Sequence, residues 1–194
     1  NAMWVITKTK VKINKLPFWN ENITIRTWPM GAEGVRCNRC YQILENDEVM
    51  INGITEWVII DATTRTLRKV ESTSYPNDID WIKEKSIEDK FRRFKDDFTE
   101  EDFVYQRLIR SGDIDVTHHT NNVTYVTMLL DTFSVRELES MMLTEIEISY
   151  LNETLEGETL SVYRKKTDDG YCFKIVKDND KVAVMAYTGY AILT

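Results

Sequence analysis

The polar and apolar positions in the first third of the chain alternate with the two-residue period typical of β-strands. In the first segment, residues 4–13, Lys8, Lys10 and Lys12 share one face, and the other face carries valine, isoleucine and threonine side chains. Three further β-rich segments follow, at residues 22–28, 35–44 and 49–60, separated by turns rich in Pro, Gly, Asn and Asp. This pattern predicts a four-stranded antiparallel meander with hairpin turns.

The pattern restarts at Phe103, where residues 103–110 are predicted to form a strand. After a polar turn, an apolar stripe with helical spacing predicts a helix over 123–133 that begins at an N-cap, Asn121 or Asn122. The stripe comprises Val123, Val126, Leu129, Leu130 and Phe133. A short helix at 135–142 and four strands, at 145–151, 159–166, 171–177 and 181–191, are predicted to follow. Both halves thus contain four successive strands, which indicates an internal repeat whose first copy lacks the opening strand and helix.

Three parts of the chain are distinguished by these patterns. Residues 1–70 form the first module, 71–102 a linker and 103–194 the second module. The linker is rich in charged residues, around 81–85 and 87–94, and we expect one or two short helical pieces in it. The apolar linker residues expected to attach it to a sheet are Trp81, Ile82, Phe91 and Phe94.

Composition is that of a folded globular protein, with 42% hydrophobic and 11% aromatic residues among 194. The net charge of −7 argues against general nucleic-acid binding, which requires a basic surface. The charge is uneven, because residues 1–70 carry a net +3 and the remainder a net −10. No apolar run approaches the ~20 residues that span a bilayer, so no membrane association is expected.

Three cysteines, Cys37, Cys40 and Cys172, form an odd and small set. Such a set is typical of reduced thiols in the cytoplasm. Cys37 and Cys40 are a single pair, and on a strand their side chains would lie on opposite faces. We therefore expect neither a metal site nor a redox site here, and no cofactor.

The densest group of chemically useful side chains lies between Asp113 and Tyr125, in the connection from strand to helix. It contains two Asp, two Asn and both histidines of the chain, His118 and His119. A polar turn that caps a helix would explain the composition. An acid–base site would also explain it, since an Asp can orient a His and a helix N-terminus can stabilise an oxyanion. The carboxylate that such a site needs to activate water is available at Glu153, at the end of the next strand.

Four segments, residues 16–31, 57–65, 113–125 and 150–153, resemble the acyl-acyl-carrier-protein (acyl-ACP) thioesterases, a family of bacterial and plastid fatty-acid synthesis. The third segment is similar to the family's active-site pattern Asp-x-Asn-x-His-x-Asn-Asn-x-x-Tyr. The resemblance implies an α+β fold of two tandem hotdogs, in which antiparallel sheets wrap a central helix. Because the chain begins almost on a strand, we expect the first hotdog to lack its N-terminal strand and helix.

The resemblance also implies a thioesterase that releases free fatty acid from acyl carrier protein. By this resemblance Asp115 fixes the network, His119 polarises the nucleophile and the thioester carbonyl, and Glu153 is the base toward water. The same comparison places Thr117 in the catalytic set, and it assigns substrate binding to Asn121, Asn122 and Tyr125. The expected partner is acyl carrier protein carrying a fatty acyl thioester, and the oligomeric state is expected to be a monomer or a homodimer.

Two departures from the family pattern keep alternatives open. Thr117 stands where the family usually has Asn, which favours a non-catalytic acyl-binding hotdog protein as the competing hypothesis. Thr154 stands where plant relatives have Cys, which disfavours a thiolate acyl-enzyme. A third hypothesis is a thioesterase that acts on acyl-coenzyme A.

Overall fold

The structure, a computed structural model, describes residues 2–76 and 79–193. It contains two compact units, residues 1–91 and 92–194. The segment predicted as a linker, 71–102, is therefore divided between the two units. In the part of the chain that the structure describes, no helix is long and apolar enough to cross a membrane.

Unit 1 is an antiparallel sheet with the strand order β2-β3-β4-β1, and the short strand β5 also pairs with β4. Its strands are β1 (Ala2–Ile13), β2 (Thr24–Pro29), β3 (Arg36–Glu45), β4 (Glu48–Asp61) and β5 (Leu67–Arg68). The predicted simple meander is wrong in one respect, because β1 pairs with β4 and not with β2. Among the 12 residues of β1, 11 find partners along the 14 residues of β4, whereas β2 has only 6 residues. A partner of matching length therefore satisfies more of the backbone hydrogen bonds of β1 than β2 could.

The short helical pieces expected in the linker occur as 3₁₀ turns near its two ends, at Val70–Ser72 and Glu100–Asp102, and the described residues from 79 to 99 contain no helix. Within unit 1, the backbone of this segment bonds to side chains of the sheet, since Lys10 Nζ donates to Lys90 O and Trp28 Nε1 to Glu84 O. These tertiary hydrogen bonds replace the local ones that a helix would need.

Not all of the apolar residues expected to attach this segment to a sheet do so. Trp81 stacks on Tyr75, and Ile87 and Phe91 pack into the core of unit 1. Ile82, expected to be an anchor, is 55% exposed.

Unit 2 is an antiparallel sheet with the order β7-β10-β9-β8-β6. Its elements are β6 (Phe103–Leu108), α1 (Asn122–Leu130), α2 (Val135–Ser140), β7 (Met141–Tyr150), β8 (Thr159–Lys166), β9 (Gly170–Lys177) and β10 (Val182–Ile192). The four strands β7 to β10 pair in the same pattern as β1 to β4. This agreement in topology supports the internal repeat.

The core of unit 2 lies between α1 and the sheet. The helix presents Tyr125, Met128 and Leu129 to inward-facing strand residues such as Phe173 and Ile175. The predicted helical stripe is wrong at its first position, because Val123 is 67% exposed. The helix also ends three residues before the predicted end.

The early end of α1 has a local cause. The Thr132 hydroxyl donates to Leu129 O at 2.7 Å, and Arg164 Nη1 donates to Thr132 O at 2.8 Å. These two bonds satisfy carbonyl groups at the helix end, so the chain leaves the helix before Phe133.

Candidate active site

The connection from β6 to α1 is a closed loop. At its base, Asn121 N donates to Asp113 O at 2.8 Å, and Asp115 N donates to His119 O at 2.9 Å. His118, at the turn of the loop, has a φ of 64°, a left-handed conformation in which His is enriched among non-glycine residues. It is exposed, whereas the neighbouring His119 side chain is only 24% exposed and is directed towards Glu153.

Four predicted catalytic side chains form one chain of contacts. The Thr117 hydroxyl lies 2.6 Å from Asp115 Oδ1 and 3.1 Å from His119 Nδ1. On the other side of the imidazole, His119 Nε2 lies 3.1 Å from Glu153 Oε2. The structure thus brings together Asp115, Thr117, His119 and Glu153 in that order.

The chemistry of the contacting groups determines which atom donates in each hydrogen bond. An ionised carboxylate only accepts, so the single Thr117 hydroxyl proton points to Asp115. The Thr117 oxygen then accepts from His119, and Nδ1 must carry a hydrogen. His119 Nε2 faces the Glu153 carboxylate, so a proton can pass between the two groups at the outer end of this chain of contacts.

Asp115 is kept in its charged form by this arrangement. The Thr117 hydroxyl lowers the pKa of Asp115 most, and the backbone N–H groups of Thr117 and His119 lower it further, against a smaller opposing effect of burial. Because the folded-state pKa is lowered, the stability that these bonds contribute is present at neutral pH. It is lost as the pH falls through that lowered pKa.

Glu153 follows the end of β7 and is held through its backbone. Lys177 Nζ donates to Glu153 O at 3.0 Å, and in the next residue Thr154 O accepts from Thr120 N at 2.9 Å. The Glu153 carboxylate itself is 46% exposed. A water molecule can therefore reach it without any rearrangement of the backbone.

The three residues predicted to bind substrate occupy different positions. Asn121 is the N-cap of α1, where its side chain accepts from Val123 N at 3.0 Å, and Asn122 is the first residue of the helix. Tyr125 is only 3% exposed and lies in the core of unit 2. Its hydroxyl lies 2.7 Å from Thr154 Oγ1, and burial raises its pKa.

Sequence reasoning missed the ion pair that supports the loop. Arg107 Nη2 contacts Asp113 Oδ1 at 2.5 Å, and Arg107 Nη1 lies 3.5 Å from Asp131 Oδ2 beyond the other end of α1. Asp113 Oδ2 also accepts from Arg110 N at 3.0 Å. An arginine at this place on β6 could have been noticed as a partner for the buried Asp113, but only with the strand register in hand.

The cysteine pair lies outside this site. Cys37 and Cys40 are both buried on β3 and are not joined by a disulfide. Burial is the largest influence on the Cys37 thiol and raises its pKa. Within residues 2–76 and 79–193, no group of three or more His, Cys, Asp or Glu side chains is arranged to hold a metal ion.

Two domain models of one protein family match the chain. Residues 1–76 match the acyl-ACP thioesterase N-terminal domain, and residues 96–191 match the acyl-ACP thioesterase C-terminal domain.

Curated plant relatives match much of the chain at modest identity. An acyl-[acyl-carrier-protein] hydrolase of Cuphea viscosissima, named as chloroplastic, is 26% identical over 165 residues, which cover 82% of this chain and 40% of the relative. A palmitoyl-acyl carrier protein thioesterase of Arabidopsis thaliana is 28% identical over 162 residues, covering 79% and 39% respectively. The chain thus spans about 40% of the length of these relatives.

Solved structures match nearly the whole chain. The 12:0-ACP thioesterase from Umbellularia californica has a TM-score of 0.84 at 17% identity, over 99% of this chain and 76% of that chain. An acyl-ACP thioesterase from Bacteroides thetaiotaomicron has a TM-score of 0.81 at 19% identity, over 98% and 77%. These similarities confirm the predicted α+β, tandem hotdog fold. The two matching domains show that this chain belongs to the acyl-ACP thioesterase family.

Proposed function

We propose that the protein hydrolyses fatty acyl-ACP to free fatty acid and acyl carrier protein. The observation that supports this proposal most directly is the contact of 3.1 Å between His119 Nε2 and Glu153 Oε2. In this proposal Glu153 is the general base and the imidazole beside it polarises the thioester, two roles that speed hydrolysis by water. The names of the relatives supply the substrate class.

In the proposed reaction, Glu153 as a carboxylate takes a proton from a water molecule. The water oxygen attacks the thioester carbonyl carbon, and the carbon–sulfur bond then breaks. The proton held by Glu153 passes to His119 Nε2, and His119 Nε2 gives it to the leaving sulfur. Because neither nitrogen of His119 is used to bind the peptide backbone, both remain available to the side chains that direct this transfer.

Thr117 and Asp115 act behind the imidazole. As His119 gains positive charge, the Thr117 oxygen accepts from Nδ1 and the Asp115 carboxylate holds the Thr117 hydroxyl in place. We assign the oxyanion to the start of α1. There Val123 N donates to the Asn121 side chain, and Thr124 N donates to Asn121 O. Asn122 N is the donor that these two bonds leave for the substrate.

The free thiols of Cys37, Cys40 and Cys172 support the cytoplasm as the compartment in which the protein acts.

Measuring fatty acid released from purified acyl-ACP tests the proposal, with the matching acyl-coenzyme A as the second arm. We expect a higher kcat/KM on acyl-ACP. Faster turnover of acyl-coenzyme A would favour the third hypothesis of the sequence analysis. The absence of turnover on both substrates would favour a non-catalytic acyl-binding protein.

Thr117 provides a second prediction. We expect Thr117→Val to lower kcat by about tenfold to a hundredfold, because valine keeps the shape but breaks the link between Asp115 and His119. Thr117→Asn should stay within about tenfold of the parent, since its amide group can both donate and accept. Steady-state kinetics measure both variants, and Thr127→Val on the exposed side of α1 is the control.

The same pair of variants separates the competing hypotheses. An inert parent that gains activity with Thr117→Asn would show that the threonine had removed catalysis. Equal activity of Thr117→Val and the parent would exclude Thr117 from the working chain of contacts.

A further inference from the structure

The reacting pair is flanked by a second pair of residues. Thr120 follows His119, and Thr154 follows Glu153, so each member of the catalytic pair has a threonine as its next residue. The two threonines are joined through their backbones, by Thr120 N to Thr154 O at 2.9 Å, and through their hydroxyl groups, by Thr154 Oγ1 to Thr120 Oγ1 at 2.6 Å. Two loops that are 34 residues apart in the chain are therefore connected at this point.

Tyr125 extends the connection into the core. Its hydroxyl lies 2.7 Å from Thr154 Oγ1, and Thr120 Oγ1 also donates to Thr154 O at 3.2 Å. Since the Thr154 proton is given to Thr120, the Tyr125 hydroxyl must donate to Thr154. Each of the three hydroxyl groups then donates to an acceptor: Tyr125 to Thr154 Oγ1, Thr154 to Thr120 Oγ1, and Thr120 to Thr154 O.

Burial distinguishes these hydroxyl groups from the catalytic pair. Thr154 is fully buried, and Tyr125 and Thr120 are 3% and 5% exposed, whereas the Glu153 side chain is 46% exposed. An ion pair with one member half exposed holds its geometry weakly, because solvent competes for both groups. Hydrogen bonds in a buried network are more costly to break. The separation of His119 and Glu153 is therefore better determined by the threonines behind them than by their own contact.

We propose that Thr154 is a positioning residue that, with Thr120 and Tyr125, sets the separation between His119 and Glu153. This inference rests on the proposed function for its kinetic consequence. It assigns a role to the position at which plant relatives carry a cysteine, and this role uses the buried hydroxyl group and needs no nucleophile.

Thr154→Val is the direct test, because valine keeps the shape of threonine and removes the hydroxyl. Tyr125 then loses its acceptor and Thr120 Oγ1 loses its donor. We expect kcat on acyl-ACP to fall about tenfold to a hundredfold, as a small misplacement of catalytic groups does, while KM changes less than about twofold. Thr154→Ser, which keeps the hydroxyl, should recover most of the parent's kcat.

Thr188→Val is the matched control. Thr188 is 1% exposed in β10, and its hydroxyl has no hydrogen-bond partner among the residues described. This variant should leave kcat and thermal stability as in the parent. A loss of kcat equal to that of Thr154→Val would overturn the proposal, since it would reflect a general effect of valine in the core.

A second measurement does not depend on activity. The chain has only two histidines, so the imidazole ¹⁵N signals in an NMR spectrum come from His118 and His119. We expect Thr154→Val to shift the ring signals of His119 and to leave those of the exposed His118 nearly unchanged. Unchanged His119 signals in a folded variant would overturn the proposal.

The two readouts also separate this inference from the proposed function. A parent that turns over no acyl thioester, together with shifted His119 signals in Thr154→Val, would overturn the function and support the positioning role. If Thr154→Val does not fold, Thr120→Val carries the same expectation, because it keeps the bond from residue 120 N to Thr154 O.

Discussion

Replacing Glu153 by glutamine should lower kcat for acyl-ACP hydrolysis by at least about a hundredfold, the lower range of what a general base contributes. The amide group matches the carboxylate in shape but cannot accept a proton from water. It can still form a hydrogen bond with His119 Nε2, so the geometry of the site should be retained. Because the carboxylate is 46% exposed, thermal stability should change little.

Glu156 supplies the control for this prediction. It is an exposed glutamate in the turn after Thr154, so Glu156→Gln makes the same chemical change three residues away. This variant should keep the kcat of the parent. If Glu153→Gln retained more than about half of the parent's kcat, Glu153 could not be the base, and the proposed mechanism would have to be abandoned.

The candidate site shows which features a sequence can predict. Asp115, Thr117 and His119 lie within five residues, and their grouping in a polar connection before a helix already indicated acid–base chemistry. The contact from His119 to Glu153 spans 34 residues, and without the family resemblance the sequence indicated only that a carboxylate was available at Glu153. Local composition identifies a cluster, but the pairing of two distant loops depends on strand register.

Supporting residues were harder to predict for the same reason. Arg107 and Asp113 are close in sequence, yet their ion pair depends on where β6 ends and the 3₁₀ turn begins. Thr154 was noticed only as a substitution for cysteine. Its hydrogen bonds to Thr120 and Tyr125 require the end of β7 to lie beside the start of α1.

For the fold, too, local features could be predicted from the sequence and long-range pairing could not. Alternation predicted most strands, because a period of two is a property of the local sequence. The order β2-β3-β4-β1 was not predicted, since pairing is decided by matching lengths and by tertiary contacts. The part of the linker that belongs to unit 1 has no helix at Glu84 or Lys90, because their carbonyl groups bond to side chains of the sheet, and a sequence pattern indicates only local bonds.

Phe173→Ala should lower the free energy of unfolding by about 3–5 kcal/mol, the range found when a buried aromatic ring is removed. Phe173 is fully buried at the centre of β9, where the sheet supports α1. Its ring packs against Phe133, with the ring centroids 6.0 Å apart at an interplanar angle of 70°. Alanine would leave a cavity that the neighbouring side chains, also buried, cannot fill without moving.

Chemical denaturation of the purified chain measures this effect, and Phe103→Ala is the control. Phe103 lies on β6 at the edge of unit 2 and is 43% exposed, although its ring also contacts Tyr163. Its replacement should cost about 1 kcal/mol or less, as surface substitutions do. Equal losses for the two variants would contradict the position of the core. A loss confined to Phe173→Ala would instead agree with a core of unit 2 that lies between α1 and the sheet.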